Sequence, residues 1–322
     1  ISKMPDSPFG IMTHFGKSMP QEIIPLIARA GIATVRDEVE WNGFERQKGV
    51  FEERPYLQES FRKLAEWGIE PLLVMAFGNR HHYTGPASVP DHKKAPFDEE
   101  GYRAYTRYVL EAIKLHRDQV KAVEIWNEYN GTFCDGPAAK DRPKHYTEML
   151  KHAYTAVKAQ YPRLKVIGGA LVKIPLPYIE KLFKNGALPY MDGIAVHPYR
   201  ATPEGVEKEL AALVELMKKY NQGRAKPIWV TETGSWRDQS PERATTARYL
   251  VRMLTLMLTQ PEVERIYWYL MCDFREFKTM GIVHGADDPT GRFTPTMIYP
   301  AYANLIHRLY GARPDRREET DL

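Results

Sequence analysis

The sequence predicts an α/β fold, a (β/α)8 TIM barrel, and three observations carry that expectation. Eight short β-rich runs each give way to an amphipathic helical stretch. The runs are near-continuous in Val, Ile and Leu, as parallel strands buried on both faces are. Polar residues gather where the runs end, the side on which such barrels keep their functional groups. At 322 residues the chain is long enough for one large core, so a single domain over 1–322 is expected. A charged, frayed tail should begin at about residue 313.

The first run, Phe9–Phe15, precedes a helical stretch from Gln21 to Ala30, with Ile23, Ile24 and Ile27 at helical spacing and Gly31 as its stop. The second, Ala33–Val39, is followed by Tyr56–Trp67, where Leu57, Phe61 and Leu64 share a face and Gly68 ends the pattern. The third, Pro71–Phe77, leads to a helix after Asp98, a good N-cap, carrying Tyr102, Tyr105, Val109 and Ile113. The remaining pairs are Ala122–Trp126 with Lys144–Gln160, Lys165–Leu171 with Tyr178–Lys184, and Gly193–Val196 with Val206–Tyr220. Pro227–Thr231 with Pro241–Leu258 and Arg265–Leu270 with Pro300–Leu309, across a long loop, complete the set. An open doubly wound sheet is the alternative, but Gly10–Gly16 lacks the Gly-rich phosphate turn such a sheet usually shows.

Composition bounds the function. With 43% hydrophobic and 27% charged residues the chain is ordinarily globular, and a net charge of +4 interspersed among acids calls for neither nucleic acid nor membrane. No run approaches the length of a membrane span. Cys134 and Cys272 are too few and too far apart for a disulfide framework or a metal site, so two free, partly buried thiols are expected. No signal peptide is visible, yet the chain begins at Ile1; a trimmed leader and a secreted or periplasmic, monomeric protein are the expectation.

Two glutamates stand out. Glu124-Ile125-Trp126-Asn127-Glu128 ends the fourth run, and Trp229-Val230-Thr231-Glu232-Thr233-Gly234 ends the seventh. A carboxylate closing a buried strand is costly unless it faces a cleft. Alone, Glu128 would read equally well as a salt-bridged strand end. Two such carboxylates on two strand ends are what cleavage of a glycosidic bond needs, one to protonate the leaving oxygen and one to attack, or to activate water, on the opposite face of the sugar.

Ile125-Trp126-Asn127-Glu128 resembles the acid/base motif of glycoside hydrolase clan A, the retaining (β/α)8 enzymes, and Thr231-Glu232 resembles that clan's nucleophile motif. The resemblance runs along nearly the whole chain, nearest to family 39 and then to family 5, with Tyr129 standing where a proline usually follows the acid/base glutamate. It implies a retaining hydrolase of β-glycosidic bonds, with Glu128 as acid/base, Glu232 as nucleophile and no cofactor or metal. It further implies that Asn127 binds the sugar 2-hydroxyl, that Tyr199 of His197-Pro198-Tyr199 steadies the nucleophile, and that Arg36 lies near it. The plainer alternatives are an end-capping amide for Asn127, a buried histidine for His197, a rim tyrosine for Tyr199, and pairing of Arg36 with Asp37 or Glu38. Trp268 reads as a sugar platform or as a core tryptophan. The expected substrate-binding set is therefore Arg36, Asn127, His197, Tyr199 and Trp268.

Trp41, Trp236, Tyr83 and Phe133, in expected loops, are candidates for outer subsites. Arg80, His81, His82, His92, Lys93 and Lys94 crowd the loop after the third run. They read first as a solvated basic face, and more sharply as a binder of acidic polysaccharide. The expected partner is a poly- or oligosaccharide, cut internally. The rivals are a transglycosylase on the same residues, a noncatalytic sugar-binding barrel, and a dinucleotide oxidoreductase barrel, which the missing phosphate loop disfavours.

Overall fold

The computed structural model describes residues 7–235, 242–275 and 277–312. Eight parallel strands close into a barrel in chain order: β1 Phe9–Met12, β2 Thr34–Glu40, β3 Glu70–Ala76, β4 Ala122–Ile125, β5 Lys165–Val172, β6 Gly193–His197, β7 Ile228–Thr233 and β8 Val263–Trp268. Closure is made where β1 pairs with β8, Phe9 opposite Ile266 and Ile11 opposite Trp268. The tail from residue 313 and Pro241 lie outside the described residues, as does Trp236.

The helices fall where the apolar spacing places them. The helix after β3 runs Glu99–His116, and the side chain of Asp98 caps it by accepting from the Gly101 amide at 2.8 Å. Val206–Tyr220 forms a helix over its expected span. The stretch after β1 is less regular: a 3-10 turn over Gln21–Ile23 precedes a short helix, Ile24–Arg29, because Pro25 can enter a helix only at its first turn. Short turns appear in the connections that the sequence reads as loops. Trp41–Phe44 forms a single helical turn directly after β2.

Two apolar layers hold the barrel. The larger lies between strands and helices, and a smaller one fills the lower barrel with Leu72, Ala122, Ile167, Ala195, Trp229 and Tyr267. Tyrosines from the outer helices tie strand ends together. Tyr146 donates to the Ile125 carbonyl at 2.9 Å and accepts from the Gly169 amide at 2.6 Å, joining β4 to β5. Above the apolar plug the barrel interior turns polar, with Arg36, Glu124, His197 and Thr231 all fully buried. Both cysteines are free and buried, and burial pushes the Cys134 thiol up to about 11 and the Cys272 thiol up to about 12. No helix of the described residues is long and apolar enough to cross a membrane.

Candidate active site

Glu128 is aimed by a distorted strand end. Trp126 and Glu128 both have left-handed backbones, at φ 66° and 47°, a region that side chains other than glycine's enter only when the surroundings hold them. Here they do. The Trp126 amide donates to the Met75 carbonyl at 3.0 Å, the Trp126 indole to the Phe133 carbonyl at 3.2 Å, and the Glu128 amide to the Ala170 carbonyl at 2.7 Å. The kink turns Asn127 and Glu128 toward the axis, where both line the central cavity.

Glu232 arrives from β7 and is held from three sides. Arg36 of β2 donates to one of its oxygens at 2.6 Å, and the Tyr199 hydroxyl donates to the other at 2.9 Å. His197 lies 4.0 Å from that second oxygen. Burial pushes the Glu232 carboxyl up, but the charges of His197 and Arg36 and the Tyr199 hydrogen bond outweigh it. The carboxyl ends below its ordinary value and stays ionised. An ionised, oriented carboxylate is what nucleophilic attack requires.

His197 also joins the two glutamates. Its Nδ1 lies 3.1 Å from Glu128 Oε1 and its Nε2 3.0 Å from the Thr231 hydroxyl. An oxygen of each carboxylate and a ring nitrogen of His197 all lie within 4.8 Å of one another. Retaining glycosidases hold their carboxyl groups about 5–5.5 Å apart and inverting ones about 6.5–9.5 Å apart, so this spacing belongs to the first kind. The same three groups are close enough to hold a cation, as are Asp273, His284 and Asp288 in the loop after β8. In both sets the carboxylates already accept from neighbours: Glu232 from Arg36 and Tyr199, Asp273 from Arg243 and the Gly281 amide, Asp288 from Thr290.

The structure corrects several expectations. Trp268 is fully buried with its ring beside Tyr249, on the outer side of β8, and does not reach the cavity. Tyr269, one residue on, does line it. Arg36 and His197, expected to bind substrate, are fully buried against the glutamates and do not line the cavity. Arg36 pairs with neither Asp37 nor Glu38 but with Glu124 and Glu232. Trp41 is no outer subsite: it is 1% exposed, stacked between His82 and Tyr108, and donates to Glu45 at 2.7 Å. Tyr83 also stays off the cavity wall, whereas Phe133 stands on it, stacked on Phe77 at 4.9 Å.

The basic loop after β3 spends much of its charge on nearby acids. Lys94 pairs with Asp91 at 2.6 Å and His82 with Glu45 at 2.8 Å, while His81 meets the Arg46 carbonyl. Of the six basic residues expected to crowd this loop, His92 lines the cavity, together with Phe77, Gly78 and Asp91 of the same loop. Sequence reading missed the wall opposite Phe133. There His14 contacts the Tyr269 hydroxyl at 3.0 Å, and Lys17 pairs with Glu38 at 2.7 Å. Burial opposes ionisation of Glu38, but Lys17 and His14 hold its carboxyl well below the usual range. The one available signal was position, since His14 and Glu38 sit at strand C-terminal ends like Glu128.

The cavity encloses about 870 Å³ at the C-terminal mouth of the barrel. Solved structures share this architecture. A family 39 glycoside hydrolase from the gut symbiont Bacteroides cellulosilyticus WH2 is 22% identical at a TM-score of 0.80, over 97% of this chain and 66% of that one. A family 39 β-xylosidase from Caulobacter crescentus is 17% identical at 0.71, over 94% and 71%. A β-glycosidase is 16% identical at 0.65, over 98% and 99%. This chain thus spans about two thirds of the length of the first two. No curated protein matches it. The family described as glycosyl hydrolase catalytic core matches residues 103–289, more than half of the chain and both glutamate-bearing strand ends. The chain belongs to the glycosyl hydrolase catalytic core family.

Proposed function

We propose that this protein is a retaining β-glycosidase working by double displacement. The observation that carries the reading is the pair of carboxylates with an oxygen of each within 4.8 Å, one of them held ionised by His197, Arg36 and Tyr199. Glu232 attacks the anomeric carbon while Glu128 donates its proton to the departing oxygen, leaving the sugar esterified to Glu232. Glu128, now a carboxylate, takes a proton from water, which attacks the same carbon and releases Glu232. His197 orients Glu128, and Asn127 offers its amide N–H2 to the sugar, because its oxygen already accepts from Arg36 at 2.8 Å. Tyr269 takes the platform role expected of Trp268.

Cleavage within a chain remains part of the proposal, supported by a cavity several times the size of one sugar ring. A monosaccharide as sole product from the first turnovers would overturn that part. The Caulobacter neighbour is a β-xylosidase, so β-xylosides lead a panel of 4-nitrophenyl β-glycosides that includes glucosides, galactosides and mannosides. The test is covalent trapping. A 2-deoxy-2-fluoro glycoside of the best panel sugar should add one sugar mass to the peptide bearing Glu232, and E232A should not label. Label on another residue, or none with an enzyme that turns over the parent glycoside, would overturn the mechanism.

A further inference from the structure

Glu124 is a fully buried acid of the barrel, paired with Arg36, that this mechanism leaves unused. It lies on β4 with its side chain fully buried, and its Oε2 accepts from Arg36 Nε at 2.6 Å. Its other oxygen is buried and has no hydrogen-bond partner among the described residues. The same guanidinium donates through Nη1 to Glu232 at 2.6 Å and through Nη2 to Asn127 at 2.8 Å. Arg36 is thus shared by two carboxylates, and it is itself fully buried. Burial disfavours its charge, but Glu124 and Glu232 together more than offset that and push its pKa up.

The reaction changes this balance. In the free enzyme, Arg36, Glu124 and Glu232 sum to one negative charge. When a Glu232 oxygen bonds to the anomeric carbon and the glycosidic C–O bond breaks, the leaving oxygen takes its proton from Glu128. Glu232 becomes a neutral ester, and Arg36 loses one of its two counter-ions. Glu38 of β2, the further acid whose charge acts on Arg36, is already engaged by Lys17 at 2.7 Å.

We propose that Glu124 is a positioning residue that keeps the buried Arg36 neutralised throughout the covalent intermediate, so that glycosylation of Glu232 does not strand an unpaired cation in the barrel. The inference rests on the double-displacement reading and adds a prediction about its two steps. Without the Glu124 charge, Arg36 would bind the Glu232 carboxylate alone and hold it in the ground state, while the ester would leave a bare buried cation. Forming the intermediate becomes harder and breaking it easier. Simple loss of packing would slow both.

The experiment uses E124Q, which keeps shape and an acceptor for Arg36 while removing the charge, and E124D, which keeps the charge. The probes are the 2,4-dinitrophenyl β-glycoside of the best panel sugar and its 2-deoxy-2-fluoro derivative. The stoichiometry of trapping counts the folded, competent enzyme. Rapid mixing reads glycosylation, and reactivation of the trapped enzyme reads deglycosylation. In E124Q glycosylation should slow about 10- to 100-fold, the scale on which one near charge acts at intermediate dielectric, while reactivation is as fast as in wild type or faster. E124D should fall between. Equal slowing of both steps, or no change in either, would overturn the proposal. Should E124Q not fold, E124D carries the test, because its shorter side chain keeps the charge but draws it away from Arg36. Its glycosylation should then slow more than its reactivation, and equal slowing of both would overturn the idea. A wild-type enzyme that turns over but cannot be trapped would instead overturn the double-displacement reading.

Discussion

At the scale of single residues, the site works by dividing two carboxylates into different roles through their neighbours. Glu232 faces Arg36 and Tyr199 and is kept ionised; Glu128 faces His197 and the open cavity. His197 touches both, so the neighbour whose removal should change one role alone is Tyr199. The Y199F variant takes a hydrogen bond from Glu232, whose pKa must then rise toward its ordinary value. Attack needs the ionised form, so the acid limb of kcat/KM should move to higher pH, with about a 10-fold loss in kcat/KM, as for a lost bond to a charged group. An unmoved acid limb would show that Tyr199 does not tune the nucleophile. The E128Q variant removes the proton donor. Substrates with poor leaving groups should lose about 10²- to 10⁴-fold in rate and activated dinitrophenyl glycosides far less, since only the former need protonation. Equal losses across a leaving-group series would take the acid role from Glu128.

At the scale of elements, legibility followed alternation and ended where alternation does. All eight strands were readable because buried parallel strands leave continuous apolar runs, and their ends fell within a few residues of the observed ones. Trp268 was misplaced for the same reason. Side chains on a strand switch faces at every residue, and sequence does not say which of Trp268 and Tyr269 points inward as β8 ends. Motif residues Glu128 and Glu232 were legible because they carry a spacing and a context. His14, Lys17 and Glu38 were not, because their arrangement arises only when β1 and β2 meet. Nor did sequence reveal that β5 bulges, with a register shift between Gly168 and Leu171. Gly169 sits there at φ 104°, and a Cβ would lie 2.6 Å from the Ala195 carbonyl. G169A should thus destabilise the fold by about 2–3 kcal/mol through strain and overpacking, read as a lower denaturation midpoint with an unchanged slope. A change under about 0.5 kcal/mol would mean the bulge does not need glycine.

At the scale of the whole molecule, the barrel separates stability from chemistry. The apolar plug and the helical layer hold the fold, and the strand ends and loops above them form a cavity whose charges are largely paired. That pairing decides against a strong electrostatic pull on acidic glycans by the loop after β3, because Lys94 and His82 already have acidic partners. Neutralising Arg80 and Lys93 together should leave KM within about twofold and its salt dependence unchanged, since exposed charges beyond about 10 Å are screened at 0.1 M. A KM that rises with salt in the wild type and stays flat in the double variant would restore the acidic-polysaccharide reading.

The central claim is that Glu232 and Glu128 stand too close for a water between them, so the first displacement must be made by the protein. The most direct measurement is the anomeric configuration of the first-formed product, followed by proton NMR on a β-glycoside before mutarotation mixes the anomers. Double displacement inverts the anomeric carbon twice, so the account predicts that the β signal appears first and the α signal grows only at the rate of mutarotation. An α product appearing first would contradict the nucleophile role of Glu232, and with it the reading of the carboxylate spacing on which the mechanism stands.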